Sequence, residues 1–78
     1  MLNLFQLAQG QSAQVVKLEG GAVFAQKLQN LGIREGVTIK KIRAVSAHGP
    51  IIIKAGRAEI ALGKGMAAKI IVEEQKVL

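Results

Sequence analysis

The chain has no cysteine, tryptophan, tyrosine or aspartate, and a single proline. Without cysteine there is no disulfide framework, no thiolate metal site and no sulfur nucleophile, so packing alone must hold the fold. Only Phe5 and Phe24 carry rings. That removes the stacking platforms of single-strand nucleic-acid binders and the aromatic anchors common at energetic hot spots. No apolar stretch approaches the roughly 20 residues that cross a bilayer, and no charged leader precedes an apolar core at the N-terminus. A soluble, cytoplasmic protein without membrane insertion is therefore expected.

What is present is an aliphatic chain of 78 residues, 50% hydrophobic, with room for one compact domain over 1–78. Eleven Lys and Arg against five Glu give a net charge of +6. In principle this suits nucleic acid, an anionic surface or an acidic protein partner. The basic residues, from Lys17 to Lys76, are spread along the chain without a cluster. The main reading is a solvated basic surface, with a docking face as the alternative.

The punctuation is informative. Residues 13-AQVVKLEGG-21 read as a strand closed by a Gly-Gly turn. In 22-AVFAQKLQNL-31, Phe24, Leu28 and Leu31 recur at helical spacing and predict an amphipathic helix. Ala22, Val23 and Ala25 widen its apolar surface, which favours deeper burial over docking. Gly32 predicts the helix stop, with Ile33 folding back onto Leu28, and Gly36 suggests a second positive backbone angle. In 37-VTIKKIRAV-45 the alternation slips at Lys40-Lys41, which predicts a bulge at the lysine pair. Residues 46-SAHGP-50 read as a turn into 51-IIIK-54, and 55-AGR-57 as a tight connection to 58-AEIAL-62. The segment 63-GKGMAA-68 reads as a turn or one helical turn before a last strand, 69-KIIVEE-74.

Five short strands with one helix inserted after the first predict a mainly β fold, a small antiparallel barrel. Closure of such a barrel would remove its strand edges. The N-terminal 2-LNLFQLAQGQ-11 is expected to pack across one end.

Catalytic chemistry is poorly supplied. Acid–base work needs paired titratable groups, whereas here one His accompanies five Glu, most of them within two residues of a Lys or Arg. Ser12 and Ser46 read as turn residues, and His48 as an exposed turn histidine. A metal site would need several more ligands than His48, so no metal or cofactor is expected. The spacing 63-GKG-65 is too short for a phosphate-cradling loop.

Leu4 and Leu7 before Gly10, 15-VVKLEGG-21, 28-LQNLGIREGVTIKKI-42, 49-GP-50, 60-IALG-63 and 68-AKIIV-72 together resemble the FeoA family of the bacterial ferrous iron uptake system. The most specific piece is Leu-x-x-Leu-Gly-Ile-x-x-Gly-x-x-Ile from Leu28 to Ile39. The resemblance implies an SH3-like barrel and a non-enzymatic accessory that contacts the cytosolic part of a FeoB-type, GTPase-linked transporter. Weak self-association is a further expectation for the chain. The same domain also occurs in metal-dependent repressors of the DtxR type, after DNA-binding parts that have no counterpart in this sequence. A docking surface over Lys27, Leu31, Arg34, Lys40 and Lys41 is expected, because basic residues coincide with the signature segment. The rival from another class is a small-barrel nucleic-acid binder, which the charge permits and the scarcity of rings disfavours. A peptide-binding SH3 module lacks the aromatic groove that proline-rich ligands need.

Overall fold

The computed structural model describes residues 1–75; Lys76, counted above among the basic residues, lies outside them. The elements are β1 (Leu2–Asn3), β2 (Ser12–Leu18), α1 (Gly21–Asn30), β3 (Thr38–Ala44), β4 (Ile51–Ala55), β5 (Ala58–Leu62), α2 (Lys64–Ala67) and β6 (Ile70–Glu74). All pairings are antiparallel, in the order β1-β6-β2-β3-β4-β5. This is the expected mainly β, SH3-like barrel with a helix after the first long strand. The two-residue β1 and the single turn of α2 complete it.

The sheet coils because its two seven-residue strands each carry a bulge. Register shifts between Val15 and Lys17 against β6, and between Lys41 and Arg43 against β4. An extra residue bends the strand and increases its twist, which curls a sheet towards a barrel. The bulge on β3 falls at Ile42 and not at the lysine pair. Ile39 is buried, Lys40 exposed and Lys41 buried, so the alternation runs unbroken through both lysines.

Closure is incomplete. β1 and β5 end the hydrogen-bonded order, so the expected removal of strand edges does not hold for β5.

The core is aliphatic, with Leu4, Leu7, Val15, Leu28, Ile33, Ile39, Ile51, Ile53, Leu62, Ile70 and Val72 all essentially inaccessible. The N-terminal segment packs as expected, through Leu4 and Leu7. The Leu4 N–H donates to the Ile70 carbonyl at 2.8 Å. Asn3 and Gln6 exchange side-chain-to-backbone hydrogen bonds of 3.1 and 2.9 Å that fix the turn between them.

Helix α1 ends as the sequence predicts. Gly32 has φ +88°, its N–H donates to the Gln29 carbonyl and that of Ile33 to the Leu28 carbonyl, both at 2.9 Å. These are the paired bonds of a Schellman stop, and the accompanying Leu28–Ile33 apolar pair is wholly buried. Phe24 is half-buried at the rim of the core, while Leu31, at the cap, leaves the stripe on which the spacing had placed it.

A β-carbon at this φ costs about 1–2 kcal/mol. Gly32→Ala should lower the unfolding free energy by that amount in urea titrations. Gly65→Ala, inside α2 with open space around it, should leave stability unchanged or slightly higher.

Candidate docking surface

The signature segment builds a surface from three neighbouring pieces: the outer side of α1, its cap, and the turn that feeds β3. The turn is fixed on both sides. The Val37 N–H donates to the Arg34 carbonyl at 3.1 Å across Glu35 and Gly36, and φ +91° at Gly36 fits the third position of a type II turn. Gly36 N–H donates to the Val15 carbonyl at 2.8 Å, Val15 N–H to the Val37 carbonyl at 2.9 Å, and Gln14 Nε2 to the Gly36 carbonyl at 3.2 Å. Arg34 and Glu35 therefore stand on backbone tied to β2.

Four of the five expected site residues are exposed: Lys27, Leu31, Arg34 and Lys40. Lys27 lies in the last turn of α1, where a cation complements the helix dipole. Leu31 is 42% exposed, a large apolar side chain held at the rim by the cap. A shallow cleft between α1 and the turn is lined by Leu18, Ala25, Gln29, Arg34 and Glu35.

The sequence reading favoured burial for the second apolar side of the helix, and the structure corrects this. Val23 is 85% exposed and Ala22 is exposed as well, while Ala25 is half-buried. Ala22 and Val23, with Gln26, Lys27 and Asn30, line a second, open groove along the outside of α1. The inward direction of α1 is set by Leu28, its one fully buried residue. Val23 lies five positions earlier, about 140° around the helix, and so faces away.

Lys41 is the fifth expected residue, and it is not a surface charge. It is 6% exposed, with Nζ donating to the Phe5 carbonyl at 2.8 Å and the Leu7 carbonyl at 2.7 Å. The Phe5 ring centroid lies 5.7 Å from the same ammonium. The backbone of Lys41 extends the grip, its N–H donating to the Gln11 carbonyl at 3.0 Å and its carbonyl accepting from Gly10 at 2.6 Å. Lys41 thus fastens residues 5–11 across the barrel end. Its inward phase, two residues after Ile39, is the signal in the sequence that could have revealed this.

Burial lowers the Lys41 ammonium from its ordinary value of 10.5. His48 is exposed in the β3–β4 turn, and among the described residues no three of His, Cys, Asp and Glu come together as a metal site. No helix of the described residues is long and apolar enough to cross a membrane.

Comparison with known proteins follows the same segment and the rest of the chain. A family model of the FeoA domain matches residues 2–74. A candidate Fe(2+) transport protein A of Methanocaldococcus jannaschii is 38% identical over 66 residues, spanning 85% of this chain and 78% of that protein. The crystal structure of an iron uptake regulatory protein, FeoA, superposes with a TM-score of 0.84 at 34% identity, covering 95% of this chain and 96% of the other. A manganese-dependent transcriptional repressor shares the fold, with a TM-score of 0.83 at 18% identity over 94% of this chain and 41% of its own.

Lys41→Met leaves two carbonyls without a donor and should cost at least about 2 kcal/mol, whereas Lys40→Met should stay within about 0.5 kcal/mol. With its folded pKa lowered, Lys41 loses its proton earlier in the native state than in the unfolded chain, so raising pH towards 10.5 favours folding. Urea midpoints measured at neutral and alkaline pH should show the wild type gaining on Lys41→Met as pH rises.

Proposed function

The chain belongs to the FeoA domain family, and we propose that it serves ferrous iron uptake as a cytoplasmic, non-enzymatic accessory that docks on the cytosolic, GTPase-bearing part of a FeoB-type transporter. The observation that carries this reading is the exposure of Val23 and Leu31 beside Lys27 and Arg34, on backbone fixed by the helix stop and the type II turn. Apolar side chains in water with cations at their margin suit a partner offering an apolar patch rimmed by carboxylates.

The roles divide by position. Leu31 and Val23 supply desolvated area, and Arg34 supplies a planar donor that can engage a carboxylate in two hydrogen bonds. Lys27 and Lys40 act at the rim, where charge sets association rate and salt dependence more than affinity. Lys41 contributes from within by holding the N-terminal segment.

Calorimetric titration into the isolated GTPase region of the cognate transporter should give saturable binding. Leu31→Ala and Arg34→Glu should each weaken it about tenfold or more, and Lys27→Gln should chiefly flatten its salt dependence. Affinity unchanged in both of the first two variants would remove this surface.

A further inference from the structure

Strand pairing gathers charges that look scattered along the chain. Lys40 on β3 stands directly opposite Lys54 on β4, and Lys54 opposite Glu59 on β5; in the next row Arg43, Ile52 and Ala61 are aligned in the same way. Directly paired residues share a sheet face, and so do residues two apart on one strand. Lys40, Arg43 and Lys54 therefore lie on one face, with Arg57 at the β4–β5 hairpin tip. All four are exposed. Among the described residues the one ion pair is Lys17–Glu19, so none of these four cations is neutralised by a carboxylate within 4.0 Å. Like charges directly opposite each other are unfavourable in a sheet; Glu59, opposite Lys54 on its other side, offsets one of them, and the face keeps a surplus of positive charge from Lys40 and Arg43.

The same face ends at an open edge. β4 and β5 are joined by the two-residue loop Gly56–Arg57, and in such hairpins the flanking pair, here Ala55 and Ala58, is hydrogen-bonded. Alternation from that pair makes Ile60 and Leu62 face β4 with their backbone groups, while the N–H and C=O of Glu59 and Ala61 point away from it. No backbone or side-chain hydrogen bond among the described residues uses those four groups. β5, 58-AEIAL-62, has no Lys, Pro or bulge to blunt the edge, and its one charge, Glu59, stands opposite Lys54. Its two ends are bracketed by Arg57 and Lys64.

We propose that β5 accepts an extended acidic peptide segment of a partner, added as a further strand through the Glu59 and Ala61 backbone, with its carboxylates met by Arg57 and Lys64 at the two ends of β5, on either side of Glu59, whose own charge faces Lys54. Backbone pairing gives such a segment affinity, and alternate side chains give it specificity. The open edge and the basic face are separate features of the fold, and an acidic strand satisfies both. A polyanion without strand-forming backbone would use only the charges, and β3, β4 and β5 carry no ring on which unpaired bases could stack.

The test is an amide-resolved NMR titration of the full chain with an eight-residue alternating Val-Glu peptide, alongside its Val-Lys counterpart and a Val-Glu peptide N-methylated at alternate residues. The Val-Glu peptide should slow hydrogen exchange at the Glu59 and Ala61 amides. The Val-Lys and N-methylated peptides should not, and Arg57→Glu combined with Lys64→Glu should weaken Val-Glu binding by at least about tenfold. Equal binding of the N-methylated peptide, equal binding of Val-Lys, shifts confined to α1, or no binding would each overturn the proposal. So would anionic vesicles or duplex DNA reproducing the shifts while the edge amides exchange unchanged. Two of the peptide controls alter the ligand alone, so the outcome does not depend on whether the double variant folds.

Discussion

Two backbone hydrogen bonds at the end of α1 set the geometry on which the rest depends. Gly32 and Ile33 return their N–H groups to the Gln29 and Leu28 carbonyls, and this reversal requires a positive φ at Gly32. The consequences are mechanical. Ile33 enters the core beside Leu28, Leu31 stays at the rim, and the chain leaves in the direction that lets Arg34 to Val37 close a turn against β2. Each such bond contributes only about 1 kcal/mol net, but together they determine which side chains the helix and turn present to a partner.

The barrel these elements join has a core without a fully buried ring, and one end of it is sealed by Lys41. An ammonium inside a protein is costly unless its donors are satisfied. Here the aliphatic stem runs through the interior while Nζ meets two carbonyls of the N-terminal turn, which could find no partner among the surrounding aliphatic side chains. One side chain thereby solves two problems, satisfying buried acceptors and fixing residues 5–11, and a hydrophobic residue of equal length would solve neither. The same lysine stands on β3 just before the Ile42 bulge, so the latch and the bend that coils the sheet are built into consecutive residues.

Much of this was legible in the sequence where local chemistry decides the outcome. Gly32 after an apolar helical stripe, Gly36 before a branched run, and Gly56 between two alternating segments each named a turn that the structure contains. Tertiary placement was harder to read. Lys41 looks like a surface cation until its phase is counted from Ile39, and the assumption that lysines face water moved the bulge by one or two residues. Val23 looked like core because the helix is rich in small apolar residues, yet only a narrow side of α1 reaches the sheet. The basic face could not be seen in the sequence at all, because Lys40 and Lys54 become neighbours only through the β3–β4 register. The open edge at β5 likewise depends on how far the coiled sheet closes.

The proposed docking function rests on a surface, and a surface is useful only if its backbone holds still. Native-state hydrogen exchange at the Ile33 amide tests this most directly, because that bond exists only while the helix stop is intact. Exchange of Ile33 at the free energy of global unfolding, matching the Val15 amide in the sheet, is the expected result. Exchange at the far lower free energy of a fraying helix end would contradict it, leaving Leu31 and Arg34 on a mobile loop and the proposed docking surface without a frame.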